Sequence, residues 1–221
     1  MTNPIKYNLK KELPSLFFIV FIIVFSFIAY PSLGDKIASH WNFAGQVDGW
    51  SNKSSFIYFF PGLIIVMYGF MTLMPIIDPK KESYAGFAQT YINFKTLMVG
   101  ILSAIYAITI FSNLGYDINI GKTVSLLIGG MMILIGFMLK NIKSNWFIGV
   151  RTPWTMSSPL VWEKTHKISA YSFSFLGLCI IIAPYLSNPW NITVFAIGLV
   201  QAVIGTMAYS YIIYRKEKNK K

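Results

Sequence analysis

Six stretches of this chain carry almost nothing but apolar side chains, and short polar segments separate them. The apolar runs lie at 13–31, 56–77, 96–115, 123–139, 168–187 and 192–214. A helix needs about 20 apolar residues to cross the hydrocarbon core of a bilayer. The pattern therefore predicts an all-α integral membrane protein with six transmembrane helices in a single membrane domain; the fourth run is the shortest. No Asp, Glu, Lys, Arg or His falls inside any run. Ion and proton pumps need an ionisable group at membrane depth, whereas these runs offer neutral groups such as Ser103, Thr109 and Gln201. The pattern argues against ion-coupled transport.

Composition supports the membrane assignment and charge orients it. Charged residues make up 12% of the chain, against about 25% in soluble domains. The net charge of +11 would suit a nucleic-acid partner if it were clustered on one surface, but its placement follows topology. The amino end, 78–95, 140–167 and the tail from 215 hold sixteen Lys and Arg, and the alternate segments hold three. Positive residues stay on the cytoplasmic side, so both termini are expected to be cytoplasmic, with membrane lipid as a partner of the basic segments and no direct nucleic-acid contact. The first run follows Lys6, Lys10 and Lys11 as a signal peptide would, but it is long and no small-residue cleavage site follows; an uncleaved anchor is expected. One cysteine, Cys179, excludes an intramolecular disulfide and a CxxC site.

Small residues at i,i+4 spacing, Gly100/Ala104 and Ser103/Ala107 on the third run and Gly198/Ala202 on the sixth, predict close helix packing. Pro61, Pro75 and Pro184 predict kinks or ends. Trp41, Trp50, Trp146, Trp154 and Trp190 border the runs, as interfacial anchors do.

Two loops carry the candidate chemistry. In the outer loop, Gly45 and Asp48-Gly49 predict turns. His40 with the separated carboxylates Asp35 and Asp48 lacks metal-ligand spacing, so no metal or cofactor is expected. Trp41, Phe43 and Trp50 supply apolar area and Asn42, Gln46 and Asp48 fix orientation, which suits recognition of an amphipathic peptide. In the inner loop, Gly149 permits close backbone approach and Thr152-Pro153 imposes an extended or turn geometry. Ser158-Pro159 predicts a helix start. Trp162 and His166 then share a face, and Glu163 pairs with Lys167. Arg151 suits two roles equally: a bidentate clamp on a carboxylate or lipid phosphate, or an arginine that reaches up to the headgroups. Glu163 and His166 do not face each other and no nucleophile accompanies them, so no catalytic residue is predicted and the chain is not expected to be an enzyme.

The segment Asn145-Trp-Phe-Ile-Gly-Val-Arg-Thr-Pro-Trp-Thr, followed by Trp162 and Thr165-His166, resembles the signature of the SdpI family of immunity proteins against a secreted bacterial peptide toxin. His40-Trp-Asn with Gly45, Asp48 and Gly49 resembles the DUF1648 module. The resemblance implies a two-helix module with its outer loop over 13–77 and a four-helix region over 96–214. It implies membrane immunity, with the toxin as a partner and, where the chain signals as the best-known member does, capture by the membrane protein of a cytoplasmic autorepressor. Toxin recognition would then fall to His40, Trp41, Asn42, Gly45, Asp48, Gly49 and Trp50. Docking of a partner would fall to Asn145, Gly149, Arg151, Thr152, Pro153, Trp154, Trp162, Glu163, Thr165 and His166. The alternative reading of the same residues is a small permease for a neutral or lipophilic solute.

Overall fold

A computed structural model describes residues 3–6, 8–42 and 45–219. Phe43 of the outer loop and Lys220 and Lys221 of the basic tail lie outside the described residues. Among the described residues, six helical segments are long and apolar enough to cross a membrane, as the hydrophobic pattern predicts. The first is α1 (Leu9–Ala29), started by the Asn8 carboxamide, which accepts the Lys10 amide at 3.0 Å. Next come a hairpin of β1 (Lys36–Trp41) and β2 (Val47–Asn52), α2 (Lys53–Ile77), and α3 (Ala88–Asn113), which continues a 3₁₀ stretch at Lys81–Phe87. They are followed by α4 (Ile120–Leu139), the short α5 (Pro153–Ser157) and α6 (Pro159–Ile182). The last span is α7 (Trp190–Val200), a π-helical turn at Gln201–Gly205, and α8 (Thr206–Lys218).

Two features depart from the sequence reading. The outer loop is not helical or irregular but forms the β1–β2 hairpin, so the fold is helical with one two-stranded addition. The helices also begin before the apolar runs do. Leu9 and Ala88 open α1 and α3, which brings Glu12 and Lys95 into the helical spans. An apolar run marks where hydrocarbon begins; the hydrogen-bonded helix extends past it wherever the polar side chains find partners.

The chain packs as two compact units, whose boundaries fall within α2, α3 and α4. One unit comprises Tyr7–Thr72 and Lys95–Leu127. Its core gathers Ile22, Ile37, Ile64, Val99, Tyr106 and Ile110. α1 and α3 meet closely here: a Cβ on Gly100 would lie 3.1 Å from the Phe18 ring. Hydroxyls link the same helices, Ser15 to Thr96 at 2.9 Å and Ser26 to Tyr106 at 2.6 Å. In hydrocarbon such bonds replace those that water would make and hold the helices in register.

The other unit comprises Met1–Lys6, Leu73–Phe94 and Ile128–Lys221. Tyr84, Tyr91, Leu139, Ile142, Ile148 and Trp162 form its core. α4 and α6 touch backbone to backbone. A Cβ on Gly129 would fall 2.5 Å from the Gly177 carbonyl, and one on Gly136 would fall 2.6 Å from that of Ala170. Gly129 and Gly136 stand seven residues apart, as do Ala170 and Gly177. The seam is thus a small-residue stripe at heptad spacing, the arrangement that lets membrane helices gain dispersion contacts. Gly198 of α7 packs the same way on Cys179, where an added Cβ would meet the cysteine Cβ at 2.8 Å.

Candidate functional site

The outer-loop candidates all sit on the hairpin. β1 and β2 pair antiparallel with Ala38 opposite Trp50, His40 opposite Gly49 and Trp41 opposite Val47. The register shifts on either side of His40, and such bulges twist a strand and re-aim its side chains. Gly49 is required by the close approach, since a Cβ there would lie 2.8 Å from that of His40. At the tip, Asn42 accepts the Gln46 amide at 3.0 Å and Gly45 takes φ +76°, a conformation natural to glycine. His40 Nδ1 and Asp48 Oδ1 lie 2.5 Å apart on an exposed face. Trp50 is 61% exposed and Val47 38%. The base of the hairpin is fixed from α3. The Asn113 carboxamide accepts the Ala38 amide at 2.8 Å and donates to the Ala38 carbonyl at 3.0 Å, acting as a substitute strand. The hairpin therefore presents Trp50 and Val47 among exposed polar residues that include His40, Gln46 and Asp48.

The inner-loop candidates fold into a dense turn. Asn145 is fully buried and uses its whole hydrogen-bonding capacity. Its oxygen accepts the amides of Phe147 and Ile148, both at 2.8 Å, and its nitrogen donates to the carbonyls of Lys143 and Ile148. Gly149 has φ +109°, and an added Cβ would lie well inside contact distance of His166 Nε2. Next to it the Val150 amide donates to His166 Nε2 at 3.1 Å, while His166 Nδ1 meets the Trp162 carbonyl at 2.8 Å. The carbonyl can only accept, so the proton sits on Nδ1 and the ring is neutral. His166 stacks on Trp162 with centroids 4.1 Å apart, and Trp162 donates its indole N–H to the Ile142 carbonyl. Both ring nitrogens are engaged; the imidazole has no lone pair left for a proton or a metal.

The following residues extend this frame. Thr152 and Thr155 form a reciprocal capping box with Pro153 at the first turn of α5. Thr152 Oγ1 also meets Ser210 of α8 at 3.0 Å, and Trp154 packs on Tyr211 with centroids 5.0 Å apart. Ser158 caps α6 and donates to Glu217 at 2.6 Å. Glu163 and Lys167 form the exposed i,i+4 pair expected from their spacing. Thr165 is fully buried and its hydroxyl has no hydrogen-bond partner among the described residues. Arg151 is exposed, and its guanidinium donates to the Trp146 carbonyl.

Sequence reasoning missed Asp78, which organises the turn. Its carboxylate is 2% exposed and accepts three donors: the amides of Lys80 at 2.6 Å and Trp146 at 2.9 Å, and the Tyr84 hydroxyl at 2.9 Å. The available signal was Asp78-Pro79 directly after an apolar run, the place where an Asp side chain takes up backbone amides.

A second missed constellation is Glu12 with Lys95, at 4% and 3% exposure. Lys95 Nζ lies 2.8 Å from Glu12 Oε2 and 2.9 Å from Oε1, and donates to Thr72 at 3.2 Å. Tyr68 donates its hydroxyl to Glu12 at 2.9 Å and lays its ring under the Lys95 ammonium at 4.8 Å. The spans are therefore not free of ionisable groups, although the acid and base neutralise one another.

Comparison with known proteins agrees with the motifs. The SdpI/YfhL protein family model matches residues 141–210. A domain of unknown function, DUF1648, matches residues 17–65. Over 208 residues the chain is 22% identical to the immunity protein SdpI of Bacillus subtilis (strain 168), covering 94% of this chain and 98% of that protein. No solved structure matches the chain. The resemblance read from the inner loop thus holds: the chain is a multi-pass membrane protein that is similar to the SdpI/YfhL family over residues 141–210.

Proposed function

We propose that this chain is an immunity protein of the bacterial plasma membrane, protecting its cell from a secreted, Sdp-type peptide toxin. The observation that carries the reading is similarity to the immunity protein SdpI along nearly the whole length of both chains. In this reading both termini are cytoplasmic and the β1–β2 hairpin faces outward. It offers Trp50 and Val47 to the apolar face of the peptide, while His40, Asn42 and Asp48 supply polar contacts. Trp41, Gly45 and Gly49 hold that surface in shape. Exposed aromatic residues on a rigid frame suit peptide capture because little side-chain entropy is lost on binding.

The test is expression in a strain sensitive to the cognate toxin. Survival should rise with the intact chain. Trp50→Ala should weaken toxin binding about thirtyfold, as loss of an aromatic hot spot does, with the protein still present in the membrane at normal level. Absence of any gain in survival from the intact chain would overturn the reading.

On the cytoplasmic side we assign Arg151, held at the surface of the Asn145–His166 turn, to docking of a repressor that is released when no toxin is bound. Arg151→Ala should abolish repressor recruitment to membranes while leaving folding intact, because the side chain is exposed and its hydrogen bond goes to a backbone carbonyl. Unchanged recruitment by that variant would remove Arg151 from the role.

A further inference from the structure

One groove in the unit that holds the inner turn has no part in the reading above. It lies between α6 and α8, has a volume of about 390 Å³, and is lined by Lys164, Lys167, Ile168, Tyr171, Tyr209 and Ile213. The α6 residues recur at i, i+3, i+4 and i+7, which places them on one helix face. Tyr209 and Ile213 stand one turn apart on α8.

The position of this groove is set by charge. On α6, Lys164 and Lys167 are its last charged residues, and from Ile168 to Ile182 the helix carries none. On α8, Tyr209 and Ile213 precede Arg215, Lys216 and Lys218 in its last turn. On both helices the groove straddles the boundary between a basic segment and an apolar one, the level at which a bilayer changes from headgroup to hydrocarbon. Tyrosine, amphipathic in itself, favours that level too.

The cations there outnumber the anions. Glu163 pairs with Lys167 at 2.6 Å, but Lys164 takes part in no ion pair among the described residues. Outside the groove lining, Lys140 holds its ammonium 4.7 Å over the ring of Tyr171. Ile168 and Ile213 give the groove an apolar wall next to the basic residues, and Tyr171 and Tyr209 lie deeper along the two helices. An acidic peptide would satisfy the lysines but leave that wall facing lipid. A ligand with one phosphodiester and two acyl chains satisfies both.

We propose that the α6–α8 groove binds the headgroup of an anionic phospholipid, with Lys164 and Lys167 around the phosphate and the first acyl carbons along Ile168 and Ile213. A lipid held there bridges the helix that opens with the Ser158 cap and the helix that receives it through Glu217. It would tie the inner turn to the leaflet beneath it. This proposal does not depend on the immunity reading.

The test is native mass spectrometry of the full chain, released from detergent after equilibration with phosphatidylglycerol or phosphatidylcholine. Phosphatidylglycerol should remain bound in a one-to-one adduct and phosphatidylcholine should not. A basic residue near the membrane surface contributes about 1 kcal/mol toward anionic lipid, or roughly fivefold in affinity. Lys164→Gln with Lys167→Gln should therefore weaken the adduct by about 25-fold, whereas Lys216→Gln with Lys218→Gln, an equal charge loss outside the groove, should leave it nearly intact. Ile213→Trp keeps every charge and fills the groove, and should abolish the adduct. Excess inorganic phosphate, lacking acyl chains, should not displace it. Equal retention of the two lipids, equal loss in the two lysine pairs, an unaffected Ile213→Trp adduct, or displacement by phosphate would each overturn the proposal. All these variants sit on exposed or half-buried positions, and a folded circular-dichroism spectrum accompanies each measurement.

Discussion

Lys95→Met should destabilise the protein by about 3–5 kcal/mol, because it leaves the Glu12 carboxylate buried with no cation beside it. Glu12→Gln should be similarly harmful for the mirror reason, since the Lys95 ammonium would face a neutral amide in place of its carboxylate. The combined Glu12→Leu, Lys95→Met variant should recover most of the loss. Desolvating two charges offsets much of their mutual attraction, so a buried pair and an apolar pair of similar volume differ little in stability. Unfolding of the four proteins in mixed micelles, followed by tryptophan fluorescence, separates these cases. Two single variants as stable as the parent would show that water or lipid phosphate reaches the pair. A double variant no better than the singles would show that the pair does more than neutralise itself. Tyr68→Phe adds a graded control: it removes the hydroxyl that donates to Glu12 but keeps the ring under Lys95. It should cost about 1.5–3 kcal/mol, the range for a hydrogen bond to a charged group.

This ion pair also shows where the sequence stops being legible. The six spans could be read directly, because one-dimensional hydropathy is enough to locate a helix in a bilayer. The cap at Ser158, the Glu163–Lys167 pair and the Trp162–His166 face were legible as well, since each depends only on helical periodicity. Glu12 and Lys95 are 83 residues apart. Each ends a polar segment when read alone, and only the packing of α1 against α3 turns them into a buried pair. Asp78 was hidden by distance too: its partner amide at Trp146 lies 68 residues on. The same holds for Asn113, which completes the edge of β1 from 75 residues away. The hairpin was partly visible in Gly45 and Asp48-Gly49, but Lys36–Trp41 lacks a clean alternation of apolar and polar residues. Its pairing depends on that Asn113 contact and on Ile37 and Leu33 entering the core. The α4–α6 seam of Gly129, Gly136 and Gly177 was the most recoverable omission. Glycines seven residues apart on one helix already describe a stripe, and only its partner required the structure.

Gly149→Ala is expected to be the most damaging single-methyl change in the chain. Two costs add there. The backbone sits at φ +109°, outside the regions open to alanine, and holding a non-glycine residue in such a conformation costs about 1–3 kcal/mol. The new methyl also points at His166 Nε2 and at the Trp162 ring, 3.3 Å away. The imidazole cannot retreat without losing its stack on Trp162, its bond to the Trp162 carbonyl and its bond from the Val150 amide. A total near 4 kcal/mol is expected, at the upper end for point substitutions. The two costs can be separated. His166→Ala alone strands the Val150 amide and opens a cavity, a loss of about 2–4 kcal/mol. In the double variant Gly149→Ala, His166→Ala the methyl meets no ring, so only the backbone cost should be added to that loss. The pair should then be less destabilised than the sum of its members by about 1–2 kcal/mol, a coupling typical of residues in contact. Strict additivity would mean that the backbone conformation alone demands glycine and that the tight approach to His166 is incidental. Coupling of the expected sign would instead identify the Gly149–His166 contact as what holds the Arg151 turn in place. In that case Gly149→Ala should also lower recruitment of the proposed repressor in the fraction of protein that remains folded, although Gly149 itself presents no side chain to a partner.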